Sequence, residues 1–177
     1  SETHWIFNFP MSTTLRSIVP LLLLAMGSTT CAQEHLLVFG IVKDLDSGGM
    51  MQNVRVRLVT DGLEGDSVFT DPLGRYQIGL PLQGAHVIEY NSSLHHPKIV
   101  EVSTENDMDA LDREQEWGMR IDITLASAFL ELPEDLVSMP AGKAAWIPER
   151  HAFEWDGPYT ERYLFQFRKA VKAAKRD

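Results

Sequence analysis

The chain has 177 residues, of which 44% are hydrophobic and 23% are charged, a composition typical of a globular protein with a buried core. Its net charge of −9 excludes a general nucleic-acid binder, because such proteins need a basic face for the phosphates. Cys31 is the only cysteine in the sequence, so no intrachain disulfide can form.

The first 32 residues carry the pattern of a secretory signal peptide. We place the start at Met11 and interpret residues 1–10 as upstream sequence. Arg16 then precedes a short apolar run, residues 18–26, and small residues follow up to Ala32. The apolar run is far shorter than the roughly 20 residues that span a bilayer. We therefore expect export to the periplasm or the extracellular space.

Two processing routes stay open at this site. Cleavage after Ala32 would release a soluble protein that begins at Gln33. Lipidation of Cys31 would instead anchor an outer-membrane lipoprotein. The residues before Cys31 lack the Leu and the small Gly or Ala of a good lipobox, which favours soluble export.

Residues 35–126 read as a series of short strands with closely spaced turns. Val54, Val56 and Leu58 alternate with arginines, and period-two alternation is typical of a strand with one buried face. The predicted strands cover residues 35–44, 53–60, 67–70, 75–81, 85–90, 98–103 and 117–125, with turns at 61–62 and 64–66. This pattern predicts an all-β fold, a seven-stranded antiparallel Greek-key β-sandwich.

One turn organises this series. Asp71-Pro72-Leu73-Gly74 has the residue preferences of a type I β-turn: Asp accepts backbone N–H bonds, Pro sets φ, and Gly closes the turn. Tyr76 opens an alternating strand after it, and Pro81 ends that strand because it has no N–H for the ladder. We predict a hairpin here, with a structural role for Asp71, Pro72, Gly74 and Tyr76.

Three segments together carry a family resemblance. Residues 39–44 (FGIVKD), 53–56 (NVRV) and 70–78 (TDPLGRYQI) resemble the motifs of the carboxypeptidase regulatory-like domain family. The resemblance covers about residues 36–125 and implies a transthyretin-like sandwich. Family members accompany zinc carboxypeptidases, precede outer-membrane receptors, or act as small exported proteins of Gram-negative bacteria, and this chain resembles the last group. The motif implies nothing about the ligand.

An acidic insert, residues 101–116, precedes the last predicted strand. We interpret it as a solvated loop. A calcium loop that uses Asp107, Asp109 and Asp112 is the alternative, because calcium prefers clustered oxygen ligands. The insert lacks the glycine that an EF-hand needs for its turn, which disfavours that alternative.

Residues 127–177 differ from the rest in their prolines and scattered aromatics. We predict an extended arm packed on the sandwich, a helical turn near residues 134–137, and a short amphipathic helix capped by Asp156. Trp146, Phe153 and Trp155 are too apolar to lie in water as a group, so they either pack on the sandwich or contact a partner. The basic end of the helix suits the helix dipole, and contact with an anionic membrane is the alternative.

The histidines give no convergent catalytic set. His86 and Glu89 spell the His-x-x-Glu of zinc carboxypeptidases, but residues three apart on a strand point to opposite faces. The adjacent pair His95-His96 is interpreted as a solvated loop pair rather than a pair of metal ligands. No Gly-x-Ser-x-Gly elbow or phosphate loop is present in the sequence, and we expect no cofactor.

These observations favour a non-catalytic exported module that acts through protein or surface contacts in the cell envelope. A glycan-binding module is the second hypothesis, with Trp117, Trp146 and Trp155 as stacking platforms. A small hydrolase of transthyretin type is the third, which would need a histidine, an arginine and a carboxylate in one pocket. The partner is therefore expected to be an envelope protein or a glycan, without nucleic acid.

Overall fold

A computed structural model describes residues 35–105 and 108–176. The predicted signal peptide with Cys31, and Asp107 of the acidic insert, lie outside these residues. The strands of the described part are β1 His35–Asp44, β2 Arg55–Thr60, β3 Leu63–Phe69, β4 Arg75–Pro81, β5 Ala85–Asn91, β6 Lys98–Ser103, β7 Trp117–Arg120, β8 Ile123–Leu125, β9 Lys143–Ile147 and β10 Ala152–Trp155. The helices are α1 Ala110–Arg113, α2 Glu134–Ser138 and α3 Gly157–Ala174, with a 3₁₀ turn at Pro148–Arg150.

The strands form two mixed sheets. The smaller sheet has the order β4-β1-β7, with β8 also paired to β1, and the larger has the order β10-β9-β6-β5-β2-β3. β7 and β8 run parallel to β1, and β9 runs parallel to β6. The fold is therefore mostly β, as predicted, but the described residues form ten strands rather than seven, and the sheets are not purely antiparallel.

The core lies between the inward faces that the alternation predicted. Val56 and Leu58 of β2, and Val54 just before it, are 0%, 3% and 0% exposed. The hydroxyl groups of Tyr76 and Tyr90 lie 2.6 Å apart, and Tyr76 also donates to the carbonyl of Ile121 at 2.8 Å. Burial raises the pKa of Tyr76 above its ordinary value, so both phenols stay neutral. The hydroxyl groups of these two tyrosines are thus hydrogen-bonded within the core.

The Asp71–Gly74 turn is present, but it does not make a hairpin. An Asp71 carboxylate oxygen accepts the N–H groups of Leu73 and Arg75, each at 2.9 Å, and Gly74 has a φ of +70°. A Cβ at Gly74 would lie 2.7 Å from the carbonyl oxygen of Val42. The flanking strands belong to different sheets, since β3 pairs with β2 and β4 with β1. The turn therefore carries the chain from one sheet to the other.

Two strand boundaries also differ from the sequence prediction. Asp61 and Gly62 both have positive φ, 50° and 79°, which suits a tight two-residue hairpin. The chain reverses there at once, so residues 64–66 lie within β3 instead of forming a second turn.

The predicted strand at 117–125 is interrupted where β1 comes closest to it. A Cβ at Gly40 would lie 1.9 Å from the carbonyl oxygen of Ile121, so β1 needs a glycine at this point. The side chain of Asp122 accepts the N–H of Ile41 at 3.1 Å, in place of a backbone carbonyl of the neighbouring strand. β7 and β8 therefore flank this crossing as separate short strands.

Residues 127–176, here called the C-terminal addition, extend the larger sheet. The predicted extended arm instead forms the β9–β10 hairpin, and Glu101, Val102 and Ser103 of β6 pair with Lys143, Ala144 and Ala145. The predicted helical turn is α2. The final helix begins as predicted, because the Asp156 carboxylate accepts the N–H of Tyr159 at 2.9 Å. None of the helices in the described residues has the length and apolar character of a membrane span.

Candidate functional site

The aromatic residues singled out in the sequence are mostly packed inside. Trp146 is 0% exposed and lies edge-on to Trp117 and Phe153, with ring centroids 5.0 and 5.2 Å away. Trp117 and Phe153 are themselves partly buried against the core. Trp146 therefore cannot offer its face to a partner or a glycan, and the three tryptophans do not form a row. Trp155 keeps an exposed fraction of 39%.

His86 and Glu89 lie on opposite faces of β5, as the strand period predicts. His86 is 2% exposed, and its Nδ1 hydrogen-bonds with Thr60 at 2.9 Å. Its Nε2 hydrogen-bonds with the carbonyl of Pro81, also at 2.9 Å. Burial lowers the pKa of His86, which favours the neutral ring. Glu89 instead accepts from Arg57 on the outer face at 2.6 Å. Both ring nitrogens are occupied, so His86 has a structural role.

His95 and His96 diverge, as expected of neighbours on an extended chain, but they are half-buried rather than solvated. His95 Nε2 lies 2.9 Å from a carboxylate oxygen of Asp44, and His96 Nε2 lies 2.7 Å from the carbonyl of Leu130. Hydrogen bonds from Ser47, and then from His95, hold the pKa of Asp44 well below its usual range. His95 therefore connects its loop to the end of β1, and His96 connects the same loop to the segment that contains Leu130.

The acidic insert meets the β9–β10 hairpin at one point. Ligand atoms of Asp109, Asp112 and His151 all lie within 4.8 Å of one another. Asp109 caps α1 by accepting the N–H of Asp112 at 2.8 Å, and Asp112 pairs with His151 Nδ1 at 2.8 Å. These hydrogen bonds give the three residues a structural role, because they connect the acidic insert to the β9–β10 hairpin. Asp107, the other residue of the calcium hypothesis, lies outside the described residues.

The first of two clefts beside Trp155, here called the sheet trough, lies on the outer face of the larger sheet. Its volume is about 560 Å³. Val87, Ala145 and Ile147 are half-buried and give it an apolar lining. Two ion pairs border it: Lys143 Nζ lies 2.6 Å from Glu101, and Arg150 lies 2.8 Å from Glu154.

The second cleft, here called the helix cleft, lies between α3 and the start of β6, and its volume is about 510 Å³. Tyr163 and Phe167 of α3 line it, together with Lys98 of β6 and Trp155. Lys98 Nζ donates to the carbonyl of Thr124 at 2.7 Å and lies 4.1 Å from the centroid of the Phe167 ring. Burial lowers the pKa of Lys98 to about 8.

The sequence contained a signal for Lys98 that the strand assignment overlooked. Lys98 has the same parity in β6 as Val100 and Val102, which are each 1% exposed. A lysine at an inward position of an alternating strand is expected to lose part of its water, and Lys98 is half-buried. The parity rule alone would have marked this residue.

The described strands form two sheets, and the comparisons with known proteins assign no family to the chain. No family model matches the sequence, and no curated protein matches it. Among solved structures, the 5-hydroxyisourate hydrolase of Klebsiella pneumoniae aligns over 51% of this chain and 90% of its own, with 14% identity and a TM-score of 0.37. The 3-chlorocatechol 1,2-dioxygenase of Rhodococcus opacus aligns over 55% and 61%, with 10% identity and a TM-score of 0.40.

A C-terminal fragment of the pilus adhesin SpaC from Lactobacillus rhamnosus aligns over 57% of this chain and 48% of its own, with 6% identity and a TM-score of 0.37. All these TM-scores are too low to carry an assignment of family or function. The resemblance to the carboxypeptidase regulatory-like family therefore stays a prediction from the motifs.

Proposed function

We propose that this chain is an exported, non-catalytic binding module of the bacterial cell envelope, and that the sheet trough is its binding surface. Export rests on the sequence between Met11 and Ala32. The finer fold assignment, a Greek-key member of the carboxypeptidase regulatory-like family, rests on the motifs of residues 39–44, 53–56 and 70–78. Contact with a membrane enters the proposal only through a lipidated Cys31 or the basic end of α3.

The sheet trough is the observation that supports this proposal. Protein interfaces combine an apolar centre with a polar rim. Val87, Ala145 and Ile147 provide the apolar centre, and the Lys143–Glu101 pair provides charges of both signs beside it. Side chains at these positions alternate with core residues, so the rigid sheet fixes their spacing.

The test places a large charged side chain in the trough. Ala145→Arg fills its centre, and Gln77→Arg on the exposed face of β4 is the matched control. Partners captured from crosslinked envelope are identified by mass spectrometry, purified, and titrated against each variant. We expect Ala145→Arg to weaken binding about tenfold or more, and Gln77→Arg to leave it unchanged. Equal affinity of both variants for the purified partner would contradict the proposal.

Glycan binding is the second candidate, and the exposed ring of Trp155 favours it. This ring borders both clefts and is flanked by the polar residue Asp156. Because sugar rings stack on aromatic faces, Trp155→Ala would abolish binding on a glycan array. Phe165→Ala is the control, since Phe165 is 69% exposed on α3. An array without signal for the wild-type protein would remove this candidate.

A further inference from the structure

Lys98 is a half-buried cation without a counter-ion in the described part of the chain. Its ammonium group has three donors, of which Thr124 takes one. The faces of Phe167 and Tyr163, 4.1 and 5.8 Å from Nζ, give further but weaker stabilisation. Nζ forms no ion pair with any carboxylate of residues 35–105 or 108–176.

The other charged groups of the helix cleft do not neutralise this ammonium. Asp122 lines the cleft, but its carboxylate lies 2.9 Å from Arg120 and is paired there. Arg168 of α3 also lines the cleft and adds a second positive charge. The cleft is therefore locally positive in a chain whose net charge is −9. Partial burial removes water from this charge at a cost, and an anion that enters the cleft would lower that cost.

The walls of the helix cleft restrict the kind of anion. Its volume of about 510 Å³ falls within the range of small-molecule sites. Tyr163, Phe167 and Trp155 contribute aromatic rings to walls that are mostly apolar. A ligand with several charges would leave some of them against apolar rings. The walls therefore suit an apolar body, and Lys98 suits a single negative charge at one end of it.

We propose that the helix cleft binds a small amphipathic monocarboxylate, with the carboxylate on Lys98 Nζ and the apolar body against Phe167 and Tyr163. This site is distinct from the sheet trough and does not depend on the function proposed for the trough. It uses α3 as one wall, so the C-terminal addition creates the site.

Octanoate is the probe, and octanol and octyltrimethylammonium are its matched controls. Calorimetric titration of the full chain is expected to show octanoate binding, with the two controls at least about tenfold weaker, because a charge-assisted hydrogen bond is lost. Lys98→Met keeps the length of the side chain and removes its charge. This variant is expected to bind octanoate about tenfold more weakly and to lose the preference over octanol. Lys169→Met on the exposed side of α3 is the control and should bind as the wild type does.

A second measurement keeps the proposal testable if Lys98→Met does not fold. In the wild-type protein, NMR titration of the Lys98 side chain should show a higher pKa with octanoate bound and no change with octanol. Equal binding of octanoate and octanol, binding unaffected by Lys98→Met, or a Lys98 resonance that octanoate does not shift would each overturn the proposal. Ala145→Arg should leave octanoate binding intact, because Ala145 lines only the sheet trough. The two proposals can therefore fail independently of each other.

Discussion

The sandwich, residues 35–126, and the C-terminal addition bury their large side chains by different means. In β4 every second residue is buried, and in β2 Val56 and Leu58 are, so the period of the strand determines which face is inside. In the addition, Trp146 is buried because β9 pairs with β6, which lies far away in the sequence. The buried face of the sandwich therefore follows from the alternation of residues within each strand. The C-terminal addition instead buries its side chains only after β6 of the sandwich has formed.

Truncation after Ala128 tests whether the sandwich also depends on the C-terminal addition. We expect it to have the largest effect on stability. It removes Trp146, Tyr163 and Phe167, which are 0%, 3% and 9% exposed, and uncovers the apolar groups beneath them. We expect the loss in unfolding free energy to exceed the about 3–5 kcal/mol of a single tryptophan-to-alanine substitution. Chemical denaturation and binding of a hydrophobic dye measure it. A truncated sandwich of unchanged stability would show that the two regions are independent.

Trp146→Ala gives the effect of one side chain within the addition. It leaves a cavity next to Trp117 and Phe153, and we expect a loss of about 3–5 kcal/mol in unfolding free energy. Trp155→Ala is the matched control, because that ring is already 39% exposed and should cost much less. Equal losses for the two variants would contradict the difference in burial between Trp146 and Trp155.

Gly74→Val measures the loss in unfolding free energy from one substitution within the sandwich, for comparison with Trp146→Ala in the C-terminal addition. The new side chain must adopt a φ of +70° and place its Cβ 2.7 Å from the carbonyl of Val42, so strain and overpacking add. We expect a loss of roughly 1–3 kcal/mol, measured from the denaturation midpoint. An unchanged midpoint would mean that the turn between the sheets does not need its glycine.

We expect the smallest change in stability from the Asp112–His151 pair, which joins the acidic insert to the β9–β10 hairpin. The hydrogen bond to Asp112, and then its charge, raise the pKa of His151. A raised folded-state pKa stabilises the protein below about pH 6.5, the ordinary pKa of histidine, and this stabilisation fades as the pH rises through the folded-state pKa. Asp112→Asn should therefore cost more stability at about pH 5.5 than at about pH 8.5. A cost that grows with pH would contradict this assignment.

The sequence predicted the parts of the fold that depend on neighbouring residues. The core faces of β2 and β4, the turn at Asp71 and the cap at Asp156 follow from period, turn chemistry and capping preferences. The break at Ile121 was missed because it depends on the approach of Gly40 from another strand. The sheet trough was missed because it exists only once β9 lies beside β6. Lys98 is the exception, since its strand parity was visible in the sequence.

The parallel pairing of β6 with β9 also bears on how the protein folds. Only Glu101, Val102 and Ser103 take part, and α1, β7, β8 and α2 intervene along the chain. Closing a long loop costs entropy before the contact forms, so non-local strand pairing is slow. We expect the amides of this junction to lose hydrogen-exchange protection at a lower free energy than those of β5, whose partner strands are completed earlier. The strand junction that builds the sheet trough is thus also where the larger sheet opens first.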